Sequence, residues 1–272
     1  MSSFSDLVSD GKDADLGAGP VELLSGIDAI VQIPLVQHRL DVAAGLRTGA
    51  VVSGYPGSPL GGVDLALERA GAKLGSADVV HVPGVNEELA AATVWGTQMA
   101  MLTDYERFDG VAGIWYGKAP GVDRCGDVFK HGNSMGTTEH GGVLVVVGDD
   151  PSAKSSTLPN DSRVALYDAQ IPILFPSSVG ELLQFGLHGI ALSRYSGLWV
   201  GLKVLTNLAD GFVGMSVDEL IPGPVIPRLE IDGRAFRHVQ RPMVDGMAAK
   251  LAEEEILNRR LEAAKAYCLA NG

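Results

Sequence analysis

Cysteine is nearly absent from this 272-residue chain. Cys125 and Cys268 are the only two, and they lie far apart. That excludes a disulfide framework, a zinc finger and any Fe–S cluster held by this chain alone. Basic charge is also scarce: 21 Lys and Arg stand against 33 Asp and Glu, for a formal net charge of -12. No cluster of Lys or Arg offsets the balance, so nucleic acid and anionic membranes are excluded as nonspecific partners. Long apolar runs are missing too. VLVVV at 143–147 is far short of the ~20 residues a spanning helix needs. The start, MSSFSDLVSDGKDADLGAGP, has neither a basic nor an apolar signal region, which predicts a cytoplasmic protein. In that compartment the Asn160–Ser162 sequon is accidental. The six histidines, at 38, 81, 131, 140, 188 and 238, show no metal-ligand spacing, and no metal site is expected.

What is present is hydrophobic material, 46% of residues, arranged in alternating patterns. Strand-like runs at 50–55, 78–82, 110–116, 142–150, 171–176 and 198–205 alternate with helical patterns at 62–74, 86–102 and 178–196. The strands are continuous apolar runs, which suits burial on both sides. The fold class predicted is α/β: an open, mostly parallel sheet covered by helices on both faces. Residues ahead of the first strand read as helix restarted by Pro34. The expected organisation is a polar tail over 1–23, the main domain over 24–210, and a linker with a C-terminal helical arm over 211–272. Ligands of open parallel sheets sit at the carboxyl ends of strands. The loops of interest are therefore 54–62, 83–86, 117–126 and 148–162, all rich in Gly, Pro, Ser or Asp.

Each loop admits two readings. GYPGSPLGG (54–62) lacks both the G-x-G-x-x-G and the G-K-[ST] patterns. It reads either as a tight strand-to-helix turn or as a loop presenting the Ser58 hydroxyl to a small anionic substrate. In GVNEELAAA (84–92), Asn86 is an N-cap, and acids at 87 and 88 suit the helix dipole. The apolar neighbours also allow Glu87 to face inward as a desolvated, proton-sharing carboxyl. YGKAPGVDRCGD (116–127) carries Lys118, Asp123, Arg124 and Asp127 as surface ion pairs on a long loop or as ligand contacts. GDDPSAKSSTLPNDSR (148–163) offers Asp149, Asp150, Ser155 and Ser156 to a ligand, to a neighbouring subunit, or to its own backbone.

Taken in order, GYPGSPLGG, GVNEELAAATVWGTQMA, GIWYGKAPGVDRCGDVFKHGN, GGVLVVVGDDPSAKSSTLPNDSR and GLHGIALSRYSGLWVGLKV resemble indolepyruvate ferredoxin oxidoreductase. The similarity is to the amino-terminal part of the large bacterial single-chain form, within the 2-oxoacid:ferredoxin oxidoreductases. It covers about residues 24 to 206. The resemblance implies a pyrimidine-binding domain for thiamine diphosphate. It makes Glu87, not Glu88, the acid that meets the aminopyrimidine. It sets Gly57 and Ala91 with Glu87 on the cofactor, and Ser58 and Lys118 on the substrate.

By the same resemblance the complete enzyme decarboxylates a 2-oxoacid oxidatively. It passes electrons through Fe–S clusters, which are not on this chain, to ferredoxin, and the acyl group to coenzyme A. Magnesium and the diphosphate would be held by a domain or subunit missing here, so the isolated chain is expected to be inactive. A homodimer is expected. Two alternatives stand beside this reading. One is a non-catalytic fragment or assembly module of the same fold. The other is the pyrimidine-domain subunit of a two-subunit thiamine-dependent 2-oxoacid decarboxylase.

Overall fold

The computed structural model describes residues 20–103, 107–221, 223–242 and 245–272. Most of the expected tail, residues 1–19, lies outside the described residues. The first element is β1 (Glu22–Ser25). Ser25 then caps α1 (Gly26–Ala43) through a reciprocal box with Asp28, which satisfies two first-turn amides. Pro34 sits inside α1 without ending it.

The sheet follows. β2 (Thr48–Gly54), α2 (Val63–Arg69), α3 (Gly71–Ser76) and β3 (Val79–His81) form the first unit. Next come α4 (Glu87–Ala100), β4 (Gly110–Lys118), α5 (Ala119–Arg124), α6 (Gly126–Met135) and β5 (Val143–Asp149). The remaining strands arrive with α7 (Arg163–Asp168), β6 (Ile173–Leu174), α8 (Val179–Ser196) and β7 (Val200–Leu205). All six strands are parallel, in the order β3-β2-β4-β5-β7-β6. The chain runs one way from β2 to β3 and the other way from β4 onward, so the winding reverses between β2 and β4. A crevice opens at such a point, at the carboxyl ends of the two strands.

Strand side chains alternate between two cores. Ile114, Tyr116, Leu144 and Val146 meet α1, α2 and α8 on one face. Trp115, Val143, Val145 and Val147 meet α4, α5 and α6 on the other. The fold class read from the sequence is therefore observed, with helices on both faces.

Three details differ from expectation. The stretch after β4 is helical over Ala119–Arg124 instead of a long loop, because Pro120 stands at the first turn, where its missing N–H costs nothing. The 171–176 run shrinks to a two-residue edge strand between Pro172 and Pro176. Past β7, α9 (Thr206–Ala209) leads to β8 (Phe212–Met215), which pairs antiparallel with β1. The ribbon thus ties β8, past residue 210, to β1, which spans residue 24.

The final arm follows a short hairpin of β9 (Glu230–Ile231) and β10 (Arg234–Ala235). It consists of α10 (Gly246–Glu255), a π turn (Ile256–Arg260) and α11 (Leu261–Asn271). The expected helical arm is interrupted by the π turn, which carries Arg260 inward. The guanidinium is wholly buried and donates to Val239 O at 2.9 Å, Asn133 O at 3.3 Å and Glu255 Oε1 at 3.2 Å. Among the described residues, no helix is long and apolar enough to cross a membrane.

Candidate functional site

Backbone contacts bring the ends of β2, β3 and β4 together. Gly84 N donates to Gly54 O at 2.9 Å, and Tyr55 N to Tyr116 O at 3.1 Å. The approach demands glycine, since a Cβ on Gly54 would lie 2.1 Å from Tyr116 O. Below this junction the Tyr116 hydroxyl donates to Asp64 and meets His81 Nε2 at 3.0 Å. The loop after β2 then crosses above β4. Its buried Pro59 and Leu60 rest on Gly148 of β5, where a Cβ would lie 2.8 Å from both side chains. The crevice is thus bridged by one loop from β2.

Glu87 opens α4, just past the carboxyl end of β3. Asn86 caps the helix, its Oδ1 accepting from Leu89 N at 2.9 Å, as the sequence pattern predicts. The cap leaves the two acids different tasks. Glu88 is exposed, whereas Glu87 is 8% exposed. Two contacts fix its place: Trp115 Nε1 donates to Glu87 O at 3.0 Å, and a Cβ on Gly121 would lie 2.6 Å from Glu87 Cγ. Among the described residues its carboxylate has one ion-pair neighbour, the exposed Arg124, at 3.7 Å, beyond hydrogen-bond length. Cys125 is buried nearby. Burial first, then the carboxylates of Glu87 and Glu88, pushes its thiol up to about 12, so it is no nucleophile at neutral pH.

Lys118 ends β4 and is half-buried. Its stem lies over Gly57, where a Cβ would sit 2.9 Å from Lys118 Cδ. No described residue forms an ion pair with its ammonium. Ser58 follows Gly57, and its hydroxyl contacts the hydroxyl of Ser155 from the loop after β5. That loop is built on two buried acids. Asp150 accepts from Lys154 N at 3.0 Å and Ser155 N at 2.8 Å. The Ser155 amide, chief among several donors, holds its carboxyl down to about 2. Asp149 accepts from Ser162 N at 3.1 Å and pairs with Lys203 at 3.1 Å; Lys203 also reaches Asp161 at 2.9 Å.

Of the residues predicted for the site, Gly57, Ser58 and Lys118 stand together at the carboxyl ends of β2 and β4, and Glu87 opens the helix that follows β3. Ala91 instead is fully buried in the second core, and with Ala90 it lets α4 lie close on β4. Asp149 and Asp150 serve their own loop, the bland alternative for them, whereas Ser155 reaches across to Ser58. Sequence reasoning passed over Gly121, Trp115 and Lys203. Lys203 did carry a signal: a lone cation within the apolar run LWVGLKVL has to find an acid in the interior.

No family profile matches the chain. Similarity to whole sequences is found instead. The IorA subunit of indolepyruvate oxidoreductase from Pyrococcus horikoshii is 30% identical over 215 residues, covering 75% of this chain and 31% of that protein. IorA from Methanothermobacter thermautotrophicus is 26% identical over 244 residues, 83% of this chain and 36% of that protein. The chain is a relative of IorA. It spans about a third of the length of these relatives.

Among solved structures, the 2-oxoglutarate:ferredoxin oxidoreductase of Magnetococcus marinus, with 2-oxoglutarate, coenzyme A and succinyl-CoA bound, superposes with a TM-score of 0.60. The match covers 91% of this chain and 45% of that one at 16% identity, a likeness of fold. Together the relatives bear out the resemblance to the 2-oxoacid:ferredoxin oxidoreductases, and all of them are named as oxidoreductases.

Proposed function

We propose that this chain forms the pyrimidine-binding region of a thiamine diphosphate-dependent 2-oxoacid:ferredoxin oxidoreductase acting on aryl pyruvates such as indolepyruvate. The observation that carries the reading is the carboxyl of Glu87, buried at the mouth of α4 beside the crevice. The residues present fit an aminopyrimidine. Glu87 offers one carboxyl with no hydrogen-bond partner among the described residues, and Gly121 leaves room for it. Gly57, next to Ser58, leaves room for the Lys118 stem to lie across the loop after β2. Bound thiamine diphosphate supplies the nucleophilic carbon and the electron sink for decarboxylation.

The rest falls to this chain's side chains. Glu87 shares a proton with a ring nitrogen, and its buried setting keeps water from competing for that proton. The unpaired ammonium of Lys118 receives the substrate carboxylate, and the Ser58 hydroxyl orients the neighbouring keto group. Ala91 acts indirectly, by seating the helix that starts with Glu87. In this reading magnesium, the diphosphate and the Fe–S clusters belong to other domains or subunits, and ferredoxin and coenzyme A meet the complete enzyme. The related IorA proteins, named for indolepyruvate, support the substrate class.

Glu87→Gln tests the reading in the full-length enzyme, because glutamine keeps the shape and loses the acid. Decarboxylation, and deuterium exchange at the cofactor's reactive carbon followed by NMR, are expected to fall by about 10²–10⁴-fold. The midpoint of urea unfolding is expected to hold. Near-wild-type exchange by the variant would overturn the assignment of Glu87.

A further inference from the structure

The loop after β5 has no role in the function proposed above, yet it is held with unusual care. Its first acid, Asp150, is almost fully buried and spends both carboxylate oxygens on its own loop, accepting from Lys154 N and Ser155 N. Its far end is tied by Ser162, whose amide and hydroxyl both donate to Asp149, at 3.1 and 3.0 Å. Lys203 locks that end further by bridging Asp149 and Asp161. Between the two anchors, the exposed Ser155 hydroxyl arrives against Ser58, 97 residues earlier in the chain. A loop tethered only for its own sake would have no need to bring that hydroxyl over the crevice.

The local chemistry is one-sided. Ser58 and Ser155 hold two O–H groups between them, and the contact between the hydroxyls uses one. The other O–H has no acceptor among the described residues, and neither does the ammonium of Lys118, whose stem passes over Gly57, the residue before Ser58. Asp150, which holds the Ser155 amide, is already occupied by backbone donors, so it does not compete for these groups. A patch rich in donors, with its acid turned away, favours an anion with closely spaced oxygen acceptors.

We propose that Ser155 is a second substrate-facing hydroxyl, paired with Ser58, and that the pair and Lys118 together select ligands with adjacent keto and carboxylate oxygens. Asp150 is the positioning residue that sets Ser155 in place. For the identity of the ligand, this inference rests on the function proposed above.

The test uses the full-length enzyme with thiamine diphosphate bound, and phenylpyruvate as the probe. Loss of a hydrogen bond to a charged ligand predicts about a 10-fold or larger rise in KM for Ser155→Ala. kcat should change less than KM, and Ser155→Thr should restore the wild-type KM. Calorimetry with phenylpyruvate should weaken in parallel. Binding of phenylpropionate, which lacks the keto oxygen, should weaken much less, and cofactor affinity should not move. An unchanged phenylpyruvate affinity in Ser155→Ala overturns the proposal. So does an equal loss for phenylpropionate, or a matching loss of cofactor affinity, since either would make the hydroxyl a general support of the loop. The two readings fail separately. A Glu87→Gln enzyme with full turnover removes the cofactor assignment and leaves the hydroxyl pair standing if Ser155→Ala still discriminates the two acids. Failure of the wild-type enzyme to bind any 2-oxoacid removes both.

Discussion

Two groups of polar side chains, at opposite ends of the parallel sheet, are partnered differently. At the amino ends of the strands two largely buried arginines are fully paired. Arg194 makes a two-pronged pair with Asp41, at 2.7 and 2.8 Å, and donates to Gly141 O at 3.1 Å. Burial pushes the Asp41 carboxyl up, but Arg194, Thr48 and Gln37 outweigh it and hold the group below the usual carboxylate range. Arg260 is saturated in the same way by Glu255 and by main-chain carbonyls. At the carboxyl ends, Lys118 has no ion-pair partner among the described residues, Glu87 has only a loose cationic neighbour, and two serine hydroxyls face each other. Polar groups left open cost stability and persist where a ligand completes them. The contrast sets a structural end apart from the end that carries the candidate site, without reference to any relative.

The largest expected effect lies at the structural end. Arg260→Met would remove the donor that serves Val239 O and Asn133 O and would leave Glu255 to Arg241 alone. Breaking a buried ionic network from one side costs about 3–5 kcal/mol, read as a lowered urea midpoint. The affinity of the folded protein for 2-oxoacid should be unaffected, because the arm docks at the opposite end from the crevice. A loss of affinity with no loss of stability would abolish the division between the ends.

A middle-sized effect lies at the crevice. Gly121→Ala places a Cβ 2.6 Å from Glu87 Cγ, so the acid or α5 has to move. Overpacking of this kind costs about 1–3 kcal/mol. Turnover should fall well beyond that stability loss, since a small displacement of a reacting group is expensive. Equal turnover per folded molecule would show that the position of Glu87 is not critical.

These two residues also mark how far the sequence could be read. The alternation of strands and helices was legible because buried parallel strands are long apolar runs, and Asn86 was legible because capping is local. Gly121 was not. Three glycines and a proline within 117–126 look like a loop, and nothing local says that one of those glycines faces an acid from another helix. Arg260 was hidden for a similar reason. On an amphipathic helix an arginine reads as solvated, and only the π turn and the carbonyls at 133, 134 and 239 turn it inward. Ser155 was seen as a candidate, but its contact with Ser58 depends on a loop crossing β4, which no spacing rule encodes. Local pattern thus reported elements and caps, and long-range packing decided which members of each loop meet.

The smallest expected effect concerns Glu88, the twin of Glu87. Both acids stand in the first turn of α4, so the helix dipole favours both about equally. If dipole stabilisation were the whole role of the pair, Glu87→Gln and Glu88→Gln would behave alike. The fold distinguishes them: Glu87 is turned toward Gly121, while Glu88 is exposed. Glu88→Gln should therefore cost only about 0.3–1 kcal/mol, less at high salt because the exposed charge is screened. It should leave KM, turnover and cofactor exchange unchanged. The pair of variants, measured at two salt concentrations, sets the two tasks side by side. A Glu88→Gln enzyme as impaired as Glu87→Gln would mean that the helix end as a whole, and not one buried carboxyl, carries the chemistry.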